Sequence, residues 1–142
     1  MPIYMKYEGI EGTSTGRYRG WIELKSCQLG YRRSTNPKSI SEIFVTKVQD
    51  GASALLAREA LSGEGKKVTI DFVSSAGCAP YLSIELENTL ISSYRVSDLN
   101  SDRPMESLSL NFTKISYTNT PTECAKDPQA VKDKAMWNLA IK

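Results

Sequence analysis

Histidine is missing from all 142 residues. Its absence removes the side chain most used for general acid–base catalysis, for serine-based triads and for zinc ligation at neutral pH. Cysteine is scarce: Cys27, Cys78 and Cys124 are odd in number and widely spaced. They form neither a CxxC metal motif nor a disulfide framework, so free thiols in a reducing compartment are expected. An excess of one charge is also lacking, with 18 Lys+Arg against 16 Asp+Glu and a net charge of +2. That falls short of the electrostatic surplus that dedicated duplex binders carry. No long apolar run occurs. The opening MPIYMKYEG is interrupted by Lys6 and Glu8, so neither a secretory leader nor a membrane anchor is expected. No Walker or dinucleotide fingerprint is present, and Gly63-Glu64-Gly65 reads as a helix stop and turn. No cofactor and no metal are expected.

What remains is an ordinary soluble composition, 40% hydrophobic and 24% charged, in a length that suits one domain over residues 1–142. Its pattern is that of strands. Val68, Ile70 and Phe72 alternate with polar residues, as do Leu82, Ile84 and Leu86. Leu90, Tyr94 and Val96 share a parity, and so do Leu108, Leu110 and Phe112, predicting two further strands with serine-rich outer faces. Parity breaks between Leu24 and Cys27, and again between Phe112 and Ile115, where β-bulges are expected to turn the sheet towards closure. Ile3 to Tyr7, Trp21 to Leu29, Ile40 to Val48 and Ala135 to Ile141 complete the set. The expectation is an all-β fold, a bulged antiparallel β-barrel of about eight strands with one short flanking helix. That helix is carried by Ala54, Leu55, Ala57 and Leu61, capped by Asp50 or Ser53 and ended by Gly63.

Motifs with chemical meaning are few. Gly12, Ser14 and Gly16 spell the G-x-S-x-G of a nucleophile elbow, but no histidine is available as its base and the segment reads as a loop. Glu85 and Glu87 share a face, with Lys67 and Asp71 nearby, and read better as a solvated face than as an acid–base pair. Arg17-Tyr18-Arg19 with Trp21, and Tyr31-Arg32-Arg33 with Lys38, interleave cations and aromatics as single-strand nucleic-acid platforms do. They read better as two solvated loops, or as loops touching a neighbouring subunit. Asn111-Phe112-Thr113 matches a glycosylation acceptor but lies within a strand pattern. These readings favour binding or assembly over catalysis.

Several longer strings resemble the haemolysin-coregulated protein (Hcp) family, the tube subunit of bacterial type VI secretion systems: YEGIEG from Tyr7, GWIEL from Gly20, SEIFVTK from Ser41, LENTLISSY from Leu86 and RPMESLSLNFTKI from Arg103. AMWNLA from Ala135 is similar to the family's closing strand. The resemblance spans nearly the whole chain and is most specific in the strings from Leu86 and Arg103. It implies a non-enzymatic β-barrel with a flanking helix, hexameric rings that stack into an inner tube, and effectors carried in the lumen. The implied partners are further copies of the chain, a spike protein, a contractile sheath and small effectors. The implied route runs from the bacterial cytoplasm through the secretion system without a signal peptide. The chain departs from the family at Cys27, where an aromatic residue is common, and in a shorter loop after Gly30.

By the same resemblance Gln28 falls where the family places a lumenal residue. Parity agrees, because Ser26 and Gln28 face outward if Cys27 and Leu29 face the core. The loop holding Tyr31, Arg32, Arg33 and Lys38 resembles the one that reaches the adjacent ring, where carboxylates such as Asp98, Asp102 or Glu106 are expected to meet it. Two alternatives stay open: a lectin-like or nucleic-acid-binding β-domain that stacks ligands on Tyr18, Trp21 and Tyr31, and a tail-tube subunit of a related phage-like contractile particle.

Overall fold

The computed structural model describes residues 2–31, 41–73, 82–97, 103–119 and 133–138. In chain order they form β1 (Ile3–Tyr7), a 3-10 turn (Gly16–Tyr18), β2 (Ile22–Leu24), β3 (Ser26–Tyr31), β4 (Ser41–Val48), α1 (Ser53–Ser62), β5 (Lys66–Phe72), β6 (Leu82–Ser97), β7 (Met105–Asn111), β8 (Lys114–Asn119) and β9 (Asp133–Asn138). Every pairing is antiparallel. The order is β2-β1-β5-β6-β7-β4-β3, with β8 and β9 continuing from β6.

The two ends of that order are consecutive in the chain, which is how the barrel closes. β2 and β3 are halves of one strand bent at Lys25, whose N–H donates to the carbonyl of Thr46 at 2.7 Å. Ile22 and Leu24 are buried before the bend, and Cys27 and Leu29 pack against the same core after it. The parity change at this point therefore marks a corner, as the sequence predicts. Counting the bent strand once reconciles the nine strands among the described residues with the expected eight or so.

The second parity change has a different cause. β6 runs for 16 residues and serves two half-sheets. Its first part pairs with β5 and β8, and its second part with β7. Across the corner Glu87 opposes Lys114 and Leu90 opposes Asn111, so each strand passes two residues and the register is kept. Both strands bend together, with Asn88 in the left-handed region at φ 53°; no residue is inserted between Phe112 and Ile115. The inserted residue is Ser92, skipped between Ile91 and Ser93, and a second register shift falls between Lys66 and Val68. One expectation is corrected in consequence. Leu90, Tyr94 and Val96 do not share a buried face: Leu90 and Val96 are exposed, while Ile91 is buried. A Cβ at Gly65, beside this corner, would strike the Asn88 side chain and force it to turn aside.

The core is lined by the inward residues of the strands, including Met5, Ile43, Ile70, Leu86, Leu108 and Ile115. The helix rests on it by a face other than the one its alanines and leucines suggest. Leu56 and Ser53 are buried, Leu55 is exposed, and Leu61 is 89% exposed. Leu56 and Ser53 anchor that face together, the first in the core and the second by its hydroxyl. The Ser53 hydroxyl donates to Glu106 Oε1 at 2.6 Å and accepts from the Asp50 N–H at 3.0 Å. Asp50 Oδ1 accepts from the Ala52 N–H at 2.9 Å, and at the other end the Gly63 N–H donates to the Glu59 carbonyl at 2.8 Å.

Candidate functional site

The second half-sheet, in the order β3-β4-β7-β6, turns one face to the core and the other outward. On the outward face Gln28, Phe44, Ser109 and Ser93 lie side by side in one row. Ser26, Thr46, Ser107 and Arg95 form the next. Ser26 is half-buried, its hydroxyl 2.6 Å from that of Thr46. Gln28 is exposed. The alternation read from Cys27 and Leu29 thus places Ser26 and Gln28 together on this outer face. Cys27 itself is half-buried, and burial pushes its thiol up to about 11.

Tyr31 ends β3 opposite Ser41, and nothing further is described of its side chain. Arg32, Arg33, Lys38, Asp98 and Asp102 lie outside the described residues. Glu106, expected as a rim charge, is corrected. It is 1% exposed and accepts from Lys47 Nζ at 2.5 Å. The same ammonium reaches Asp50 Oδ1 at 3.0 Å and the Ser53 hydroxyl at 3.1 Å. Glu106 is drawn inward because β7 is paired with β4 and brings it beside Lys47.

The aromatic platform is corrected as well. Tyr18 is buried, stacked on Tyr4 at 4.5 Å and met edge-on by Trp21 at 4.9 Å. Its hydroxyl donates to Asp71 Oδ2 at 3.0 Å, and Ser83 donates to the other oxygen at 2.6 Å. Burial first and the Asp71 charge second push the phenol well above its ordinary range. The ring faces are spent on packing the 3-10 turn against β1 and β5. The open groove of about 640 Å³ beside Trp21 sets Glu8 and Glu11 among Lys6, Arg19 and Lys67, so it offers no cationic track for a phosphate backbone.

The remaining motifs resolve into structure. Ser14 lies in an irregular segment whose N–H and carbonyl bond to Trp21 and Gly20, not at a strand-to-helix elbow. Glu85 and Glu87 are exposed, and Glu87 is 3.7 Å from Lys114, a solvated pair on an open face. Sequence reasoning missed Phe44, although it stands at a polar parity between Glu42 and Thr46.

A bulged antiparallel barrel with one helix and a hydroxyl-rich, largely uncharged outer face defines a structural subunit built for contact. Residues 4–118 match the family described as "Type VI secretion system effector, Hcp", and the chain belongs to that family. It is a tube subunit of a type VI secretion system, in a structural family that oligomerises and is secreted by that system. By sequence the chain matches no curated protein. Among solved structures it is similar to Hcp1 of Salmonella typhimurium, with a TM-score of 0.83 and 18% identity over 98% of this chain and 95% of that one. It is also similar to a type VI secretion system effector from Yersinia pestis, at 0.82 and 19% over 96% and 98%. A third, described as a type six secretion system protein, stands at 0.79 and 23% over 98% and 96%. At such identities these likenesses establish the fold.

Proposed function

We propose that the chain acts as one domain that closes into six-membered rings, and that the rings stack into the inner tube with the outer face of β3, β4, β7 and β6 lining its lumen. The observation that carries this reading is a pair of edges. Among the described residues no strand pairs with the outer edge of β3 or with the outer edge of the second half of β6, and these are the two sides of the same four-stranded half-sheet. Unpaired edges are templates for another chain. Two different edges joining head to tail generate a ring when the rotation closes.

Ser26 and Gln28 then face the lumen and touch small effectors, and the loop with Tyr31, Arg32, Arg33 and Lys38 reaches the next ring. The chain catalyses nothing. It is made in the bacterial cytoplasm, leaves through the secretion system, and meets the spike protein and the contractile sheath on the way. Light scattering of the purified chain tests the ring: a mass of six subunits is expected, and a monomer at micromolar concentration overturns it.

A further inference from the structure

We propose that Phe44 is the apolar contact through which the lumenal face selects cargo, and that the cargo it fits is a small folded protein carrying an exposed apolar patch. The inference rests on the lumenal orientation proposed above. Phe44 alternates with Ile43 and Val45, both wholly buried, so its side chain stands on the opposite face, where it is 46% exposed. Its neighbours across the strands are Gln28 and Ser109, and the next row holds Ser26, Thr46 and Ser107. Phe44 is the one large apolar side chain in those two rows; Leu90, 44% exposed, stands on the same face in the adjoining row with Glu42 and Asn111. Ser109 is buried although it belongs to the outer face, as expected if the larger side chain opposite leans over it.

Charge argues for the same occupant. Across the two rows through Gln28 and Ser26 the described side chains are uncharged except Arg95, so the wall neither attracts nor repels cargo strongly by its net charge. Hydroxyls that already bond to one another or to water add little net affinity. Discrimination then falls to the aromatic ring, whose burial against an apolar patch is worth about a tenfold change in affinity per contact. Copies joined edge to edge through β3 and β6 leave the face itself uncovered, which disfavours a second copy as the occupant.

The test uses rings of the full chain and a small fluorescein-labelled three-helix bundle prepared in two versions, with leucines or with serines at one surface cluster. Anisotropy should show the unaltered rings binding the leucine version about tenfold better. Phe44→Thr, which keeps strand propensity, should abolish that preference while sedimentation shows intact rings, and Phe44→Leu should retain part of it. Equal binding of both versions by unaltered rings overturns the proposal without any variant, and so does a preference that survives Phe44→Thr. An electron-microscopy reconstruction of the same rings tests the orientation separately. If the face lies on the outside of the ring, the lumenal reading has failed; if it lines the hole and the preference is absent, only the role of Phe44 has failed.

Discussion

Lys47 Nζ sits 2.5 Å from Glu106 Oε1, with both side chains sealed from solvent at 0% and 1% exposure. The pair joins β4 to β7 and, through Ser53, fastens the start of α1 to the barrel. Asp50, partly exposed, supplies a second carboxylate at 3.0 Å.

Breaking a buried ion pair from one side strands the other charge, at a cost of about 3–5 kcal/mol. Lys47→Met should therefore lower the urea midpoint sharply. Lys47→Met combined with Glu106→Leu should recover most of the loss, because no buried charge is left without its partner. A double variant as unstable as the single one would show that the pair itself, with its link to Ser53, holds the helix in place.

Alkaline pH should weaken the fold through Tyr7. Burial, and then the Glu59 charge, push this phenol from 10.0 up to about 12. A folded-state value raised above the unfolded one contributes stability that is complete below about pH 10 and is lost as pH rises towards 12. Denaturation midpoints should fall across that window, and less so in Tyr7→Phe, which isolates the contribution of this phenol. Identical slopes in the two proteins would count against it.

Cys27 should be slow to alkylate. Desolvation raises its thiol from 9.0 to about 11, so the thiolate fraction at pH 8 is about a hundredfold lower than for an unshifted thiol. Site-resolved mass spectrometry of the native protein after a short iodoacetamide pulse should find Cys27 unmodified. Rapid labelling there would contradict the burial that shifts it.

Gln28→Arg should leave rings intact, since the side chain is exposed and its strand neighbours on the core side are unchanged. Retention of a small effector in the lumen should be lost. Unchanged retention, measured by co-sedimentation with the rings, would remove Gln28 from the cargo-contacting face.

Arg32→Glu with Arg33→Glu should abolish ring stacking while preserving single rings, and raised salt should act in the same direction on the unaltered protein. Exposed ion pairs are worth about 0–1 kcal/mol each and are screened within about 8 Å at physiological salt, so the effect depends on repetition around the ring. With Glu106 occupied by Lys47, the carboxylates facing these arginines must be others. Tubes that persist in the double variant, or that lengthen with salt, would assign stacking to apolar contacts.

Much of the barrel was legible because strand alternation is a local signal. Val68 to Phe72, Leu82 to Leu86 and Leu108 to Phe112 each declare a core face within a few residues, and the parity change at Lys25 declares a corner. The placing of Ser26 and Gln28 on one outer face followed from the same alternation. Leu90 and Val96 were misread because the bend at Asn88 and the extra residue at Ser92 reset the parity within a single strand, and only pairing with β7 and β8 reveals where. Tyr18 looked like an open platform because its partner Asp71 lies 53 residues away.

The sequence by itself determined the chemical class of the protein. Period-two apolar patterning makes the chain β-rich, and the Hcp-like strings mark its family, whatever the packing details, because alternation and motif act residue by residue. Tertiary structure decided which polar groups are interior. Lys47 and Glu106 are separated by 59 residues and read as surface charges until the pairing of β4 with β7 brings them together. It also decided the rotation of α1, since the helix buries Leu56 and the Ser53 hydroxyl rather than Leu55 and Leu61, and it left Phe44 standing on the outer face. The physical reason is common to all three: burial of a charge, the roll of a helix and the surroundings of an exposed ring depend on contacts between distant segments, which no local pattern encodes.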